Sequence, residues 1–146
     1  MDVSRIGADL QNSLVELTDL ALQAKQLHWN VIGRHFLSLH EQLDGLADEA
    51  RTAADAVAER AVTLGDAPDG RVSTVAKESP LPEVPDGRVA DLTVVDLVVD
   101  ALSTVIIRMR PRVARLGDLD PVTQDLLIEV LSGLEKQRWM FSAQQS

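Results

Sequence analysis

Apolar residues recur at three- and four-residue intervals along most of this chain, the pattern of helices that each bury one face. Ile6, Leu10, Leu14, Leu17, Leu20, Ala21 and Ala24 mark a first helix over about residues 3–31, punctuated by Gly33. Leu39, Leu43, Leu46, Ala50, Ala53, Val57, Ala61 and Leu64 mark a second over about 35–65, with Gly65 suited to end it. No proline interrupts 40–59, which is rich in Ala and Leu. A third helix is expected over about 91–116, with a kink at Pro111. The β-branched run 92–99 has some strand character, but the apolar periodicity of its continuation favours a helix. The fourth helix begins at Asp120-Pro121, an N-cap followed by proline at the first helical position, and continues to about Gln144.

Residues 66–90 break this pattern with Pro68, Gly70, Pro80, Pro82, Pro85 and Gly87. The segment is too long for a turn and reads as a crossover connection, with a short helix over Ser73 to Ser79. Two long helices, a crossover and two more helices describe an all-α, ferritin-like four-helix bundle forming one domain over 1–146. The crossover must run the length of the bundle to join the second helix to the third.

Composition narrows the function. The 146 residues suffice for one real core, and hydrophobic residues make up 45%. No apolar run approaches the roughly 20 residues of a membrane span. The start, Met1-Asp2-Val3-Ser4-Arg5, leads directly into the amphipathic pattern, so no signal peptide and a cytoplasmic location are expected. The chain has no Cys, which excludes disulfide and thiolate chemistry and suits a protein that meets peroxide. Its net charge of −9, from 23 acidic and 14 basic residues, disfavours non-specific DNA binding and favours attraction of cations.

The candidate chemistry lies on the second helix. His40, Asp44, Asp55 and Glu59 fall within about 100° of one another on a helical wheel, almost opposite the apolar stripe. Asp55 nevertheless lies about 22 Å along the axis from His40, whereas a metal–ligand bond is about 2 Å long. One copy of the helix therefore cannot gather these ligands. Two antiparallel copies about a two-fold axis can. Residues then lie level when their numbers share one sum, and His40 with Glu59 and Asp44 with Asp55 both give 99. Asp48 with Arg51 and Leu37 with Val62 give the same sum. Two-fold contacts occur twice by construction, so two identical metal sites per dimer follow. The competing reading is a plain solvated face.

Ferritin-like di-iron proteins usually carry two E-x-x-H motifs, and this chain has none. His28-Trp29-Asn30, Gly33, Phe36, His40, Asp44 and Asp55-x-x-x-Glu59-Arg60 instead resemble the signature of the Dps family, the DNA-binding proteins from starved cells. The resemblance extends to Leu134-Glu135-Lys136-Gln137-Arg138-Trp139. It implies a mini-ferritin: a hollow dodecamer of tetrahedral symmetry that oxidises Fe(II), preferentially with hydrogen peroxide, and stores ferric mineral. It implies iron ligands His28, His40 and Asp44 from one subunit and Asp55 and Glu59 from its two-fold mate. Mixed N/O donors suit iron, and few protein ligands leave room for peroxide.

The resemblance also implies an electron-donating role for Trp29, the alternative being an interface anchor. Asp118, Asp120 and Asp125 resemble the family's three-fold pore through which iron enters, with helix capping as the alternative for Asp120. His35 is expected to be an exposed loop-end residue, and Glu41 to contribute to an inner mineral-nucleating surface. Dps proteins often bind DNA through basic tails. Here the C-terminal Ser142-Ala143-Gln144-Gln145-Ser146 carries no basic residue, and twelve copies would bear a formal charge of −108. Direct DNA binding is not expected, and protection of DNA would come from removing Fe(II) and peroxide. The rival function is a nucleoid-associated structural protein.

Overall fold

In the computed structural model, which describes residues 3–146, the chain is built from five helices and one short strand pair. Met1 and Asp2, the start of the leader-free N-terminus expected above, lie outside the described residues. Helix α1 spans Val3–Asn30, α2 Phe36–Thr63, α3 Val72–Glu78, α4 Asp91–Leu119 and α5 Pro121–Ser142. Helices α1 and α2 form one packed hairpin, α4 and α5 the other, and α1 also packs on α4. The architecture is the all-α, ferritin-like bundle that the apolar periodicity requires. The whole predicted stripe of α1 is buried, and on α2 Leu39, Leu43, Leu46, Ala50, Val57 and Ala61 join it in the core.

Two features depart from the sequence reading. Helix α4 continues past Pro111, as expected, but ends three residues later than expected, at Leu119. Pro111 cannot donate to the carbonyl of Ile107, but both residues are exposed, so that carbonyl can turn to water. The second departure is a parallel two-stranded bridge. Strand β1, Val31–Ile32, pairs with β2, Val89–Ala90, in the register Val31 to Val89 and Ile32 to Ala90. A two-residue strand leaves no periodicity to read. The bridge fastens the far end of the crossover to the corner between α1 and α2, where the candidate histidines lie.

Polar side chains of α1 hold the rest of the crossover. Gln11 reads both backbone groups of Asp69, donating to its carbonyl at 2.8 Å and accepting from its N–H at 2.9 Å. Gln23 donates to the carbonyl of Pro82 at 2.9 Å, and the Ser79 hydroxyl donates to Asp19 at 2.5 Å. Val75 and Leu81 add apolar anchors. At the α1–α2 corner, Gly33 takes φ +124°, and an added Cβ would lie 2.7 Å from the Asp91 carboxylate. That carboxylate accepts from the backbone N–H of His35 at 2.9 Å, tying the start of α2 to the start of α4.

The interface of α1 with α4 contains a buried ion cluster. The guanidinium of Arg112 grips both oxygens of Glu16 at 2.9 and 2.6 Å, and Arg108 donates to the same carboxylate at 2.9 Å. Glu16 and Arg112 are 1% and 4% exposed. A buried charge left without its partner costs about 3–5 kcal/mol, whereas replacing a whole pair with packed apolar groups is often neutral. Glu16→Met should therefore destabilise the fold by about that amount in urea unfolding at matched protein concentration. The double variant Glu16→Met/Arg112→Met should recover much of the loss. Equal losses in the two variants would show that packing, not an abandoned charge, sets the cost.

Candidate metal centre

Two antiparallel helices meet end to end at the candidate site. His28 lies in the last turn of α1 and His40 in the second turn of α2, so the corner between them brings both rings together. The rings stack with centroids 3.7 Å apart and planes within 9°. Each ring reaches the other residue's backbone: Nδ1 of His28 lies 2.5 Å from the carbonyl oxygen of His40, and Nδ1 of His40 lies 2.7 Å from that of His28. A carbonyl oxygen only accepts, so both Nδ1 atoms carry hydrogen. In the neutral imidazoles, Nε2 is then the atom with a free lone pair. This is the outer hydrogen bonding that orients metal-binding histidines. The His28 carbonyl belongs to the end of α1, where the helix leaves acceptors unpaired. Phe36 backs the pair, its ring centroid 5.0 Å from that of His40.

Asp44 follows His40 by one turn and is half-buried. Its partner is Lys25, one turn before His28, whose ammonium hydrogen-bonds Oδ1. This contact holds the Asp44 carboxyl below the usual carboxylate range, with smaller help from the two histidines. Lys25 carries no spacing signal in the sequence, because a long side chain crossing between helices leaves none.

Asp55 and Glu59 do not join this group. They lie exposed on the far half of α2, and its unbroken course over Phe36–Thr63 keeps them about 22 Å and more from His40. Within one chain, no three His or carboxylate side chains among the described residues come together to hold a metal ion. The exposed face of α2 that bears them also carries Asp48 and Arg51, and at its two ends Leu37 and Val62, 62% and 59% exposed. Large apolar residues at both ends of a charged stripe are not what a simple solvated face requires.

The remaining candidates separate by environment. Trp29 is 66% exposed beside His28, and His35 and Glu41 are exposed. Asp118 and Asp125 are exposed on either side of the α4–α5 corner, whereas Asp120 between them is buried. Asp120 does not spend its carboxylate as a simple cap. It accepts from the Thr123 hydroxyl at 2.5 Å and from Arg60 of α2 at 2.9 Å. Arg60 also donates to Thr123 at 3.0 Å. The Thr123 hydroxyl first, and then the Arg60 guanidinium, hold the Asp120 carboxyl below its ordinary range.

Known proteins share this fold. The ferritin-like domain family matches residues 7–146. "DNA protection during starvation protein 2" of Deinococcus radiodurans is 39% identical over 97% of this chain, which spans 59% of that relative's length. The "DNA protection during starvation protein" of Mycolicibacterium smegmatis is 39% identical over 92% of this chain and 73% of its own. Among solved structures, Dps92 of Deinococcus radiodurans superposes with a TM-score of 0.95 at 39% identity, covering 97% of this chain and 86% of that one. Dps of Microbacterium arborescens, solved in a high iron form, gives 0.93 at 31% identity, with 97% and 92% covered.

The Asp120 contacts have a consequence for stability. A carboxyl held below its ordinary pKa stabilises the fold above its unfolded pKa, and that contribution is lost as pH falls through the folded value. Asp120→Asn should cost about 1–3 kcal/mol at pH 7, despite Asn being as good an N-cap, because Arg60 loses its charged acceptor. Thermal unfolding from pH 7 to pH 3 should show the gap between wild type and variant shrinking at the acid end. A gap independent of pH would mean that the carboxylate charge contributes nothing.

Proposed function

Since this chain belongs to the Dps family of ferritin-like proteins, we propose that it is an iron-detoxifying and iron-storing ferroxidase whose centres lie between two-fold-related copies. The observation that carries this reading is the histidine pair, two stacked imidazoles with both Nδ1 atoms committed to backbone carbonyls. His28, His40 and Asp44 are the ligands of one copy, and Asp55 and Glu59 those of its mate. Iron is the substrate. Two Fe(II) ions give one electron each to hydrogen peroxide, its O–O bond breaks, and two protons complete two waters. Peroxide is the preferred oxidant, and ferric product accumulates as mineral inside a hollow dodecamer. Where a centre holds one Fe(II), Trp29, exposed beside His28, would supply the second electron that peroxide needs. The chain's own part is to turn both Nδ1 atoms to backbone carbonyls, which leaves Nε2 for the ion, and to supply carboxylates that balance the ion's charge.

Complementation between variants tests the shared centre. His28→Ala/His40→Ala protein and Asp55→Ala/Glu59→Ala protein should each oxidise Fe(II) slowly. Co-expressed with different tags and purified through both, mixed dimers should recover one of two centres, or about half the wild-type rate per dimer. Absorbance of the ferric product and a consumption of one peroxide per two Fe(II) provide the readouts. Verified mixed dimers that remain inactive would end the shared-centre reading.

Iron reaches the interior through three-fold openings lined by Asp118 and Asp125, the exposed carboxylates at the α4–α5 corner. Asp120 serves Arg60 and contributes less field. Asp118→Asn/Asp125→Asn should slow Fe(II) uptake several-fold at low ionic strength, with the difference narrowing near 0.15 M salt, where charges are screened beyond about 8 Å. Wild-type uptake at low salt by an intact variant shell would remove the pore reading.

A further inference from the structure

The crossover contains one pentapeptide twice. Pro68-Asp69-Gly70-Arg71-Val72 and Pro85-Asp86-Gly87-Arg88-Val89 have the same sequence, yet the fold treats them differently. Both carboxylate oxygens of Asp69 are held. Oδ1 accepts from the backbone N–H of Arg71 at 3.1 Å and from its Nε at 3.0 Å. Oδ2 accepts from Arg71 Nη2 at 2.9 Å and from the Thr74 hydroxyl at 2.7 Å. Gln11 holds both backbone groups of the same residue. The Arg71 guanidinium first, and then the Thr74 hydroxyl, keep the Asp69 carboxyl well below its ordinary range. Asp86 has none of these restraints. Asp86 and Arg88 are exposed, and neither side chain has a hydrogen-bond or ion-pair partner among the described residues. Gly87 takes φ +81°, and a Cβ added there would meet nothing within 4 Å.

An Asp-Gly link carries its own chemistry. The glycine amide nitrogen attacks Cγ of the aspartic acid, the Cγ–OH bond breaks, and the hydroxyl leaves as water with the amide hydrogen. The product is a cyclic succinimide. Water then adds to either imide carbonyl. Opening at the former main-chain carbonyl leaves the chain running through Cβ and Cγ, an isoaspartyl link of unchanged mass. Glycine favours the attack because no Cβ crowds its nitrogen. Ring closure needs a neutral carboxyl that is free to turn onto the next nitrogen, and Asp69 meets neither condition. The chain's third Asp-Gly link, Asp44-Gly45, lies inside α2. There the Gly45 nitrogen donates along the helix, and Lys25 holds the carboxylate. We infer that Asp86 is a site of spontaneous isoaspartate formation and that the fold shields Asp69 in the identical sequence. An isoaspartyl link at Asp86 lengthens the main chain by one carbon, three residues before Val89. Val89 pairs with Val31 and so fastens the crossover to the histidine corner. The modification needs neither iron nor peroxide.

Ageing the intact protein near neutral pH decides it. Trypsin cuts after Arg60, Arg71, Lys77 and Arg88, so Asp69 and Asp86 fall in separate peptides that both end Pro-Asp-Gly-Arg. An isoaspartyl methyltransferase with labelled S-adenosylmethionine counts the isoaspartyl carboxyls, and electron-transfer fragmentation of the peptides identifies the residue. The 78–88 peptide should gain isoaspartate several-fold faster than the 61–71 peptide. In denaturant the two should age at similar rates, because the surrounding sequence is the same. Arg71→Ala/Thr74→Ala should raise the rate at Asp69 toward that at Asp86, in a protein whose circular dichroism still shows the folded helices. A folded wild type in which Asp86 does not isomerise, or does so no faster than Asp69, overturns the inference. So does a difference that persists unchanged in denaturant, since the fold would then not be its cause. An unmoved rate at Asp69 in the folded double variant overturns it too, because the contacts named here would not be what shields that residue.

Discussion

A helix rises about 1.5 Å per residue and cannot bring its own ends together, and the candidate chemistry follows from that constraint. Helix α2 runs unbroken over Phe36–Thr63 and carries its polar groups at both ends of one exposed stripe. A single copy therefore holds two half-sets of candidate ligands that never meet. A two-fold axis through the middle of the stripe would superpose the halves, because an antiparallel copy runs them in opposite order. This differs from a bundle with a metal in its own core, where inward-facing E-x-x-H motifs complete the site within one chain. Here the apolar face of α2 is wholly used for the core, leaving the opposite face for chemistry.

The histidine half-set depends on a corner that the rest of the fold keeps rigid. His28 and His40 approach from two helices, so any change at the turn would separate the rings. Three contacts restrain it. Gly33 adopts a positive φ that lets the chain turn beside Asp91. Asp91 holds the N–H of His35. The β1–β2 bridge ties the corner to the end of the crossover. The reciprocal hydrogen bonds between each ring and the other's carbonyl then lock the tautomers without a further side chain. The fold thus uses the His28 carbonyl at the end of α1, which any helix leaves unpaired, and the His40 carbonyl of α2 to orient its imidazoles.

The helices and most of the buried residues were legible in the sequence because a 3.6-residue period repeated over seven or eight turns is a strong signal. The α2 stripe was legible for the same reason, as was the impossibility of closing it within one chain. What escaped were contacts between distant residues with no period. Lys25 reaches Asp44 across two helices, and Arg60 reaches Asp120 from the far end of α2 to the start of α5. Asp120 at a helix start beside Pro121 looks like a cap, and only the arrival of Arg60 reveals its other partner. The Glu16 cluster left no period either, because Arg112 reaches Glu16 from 96 residues away.

The distribution of charge bears on how copies combine. A self-complementary contact tolerates a stripe of mixed sign, since each acid can meet a base of the mate, as the level positions of Asp48 and Arg51 allow. The α2 stripe carries mixed charge between the apolar ends Leu37 and Val62. An antiparallel copy would set Leu37 level with Val62 and Asp48 level with Arg51, so that the apolar ends cover each other while opposite charges meet between them.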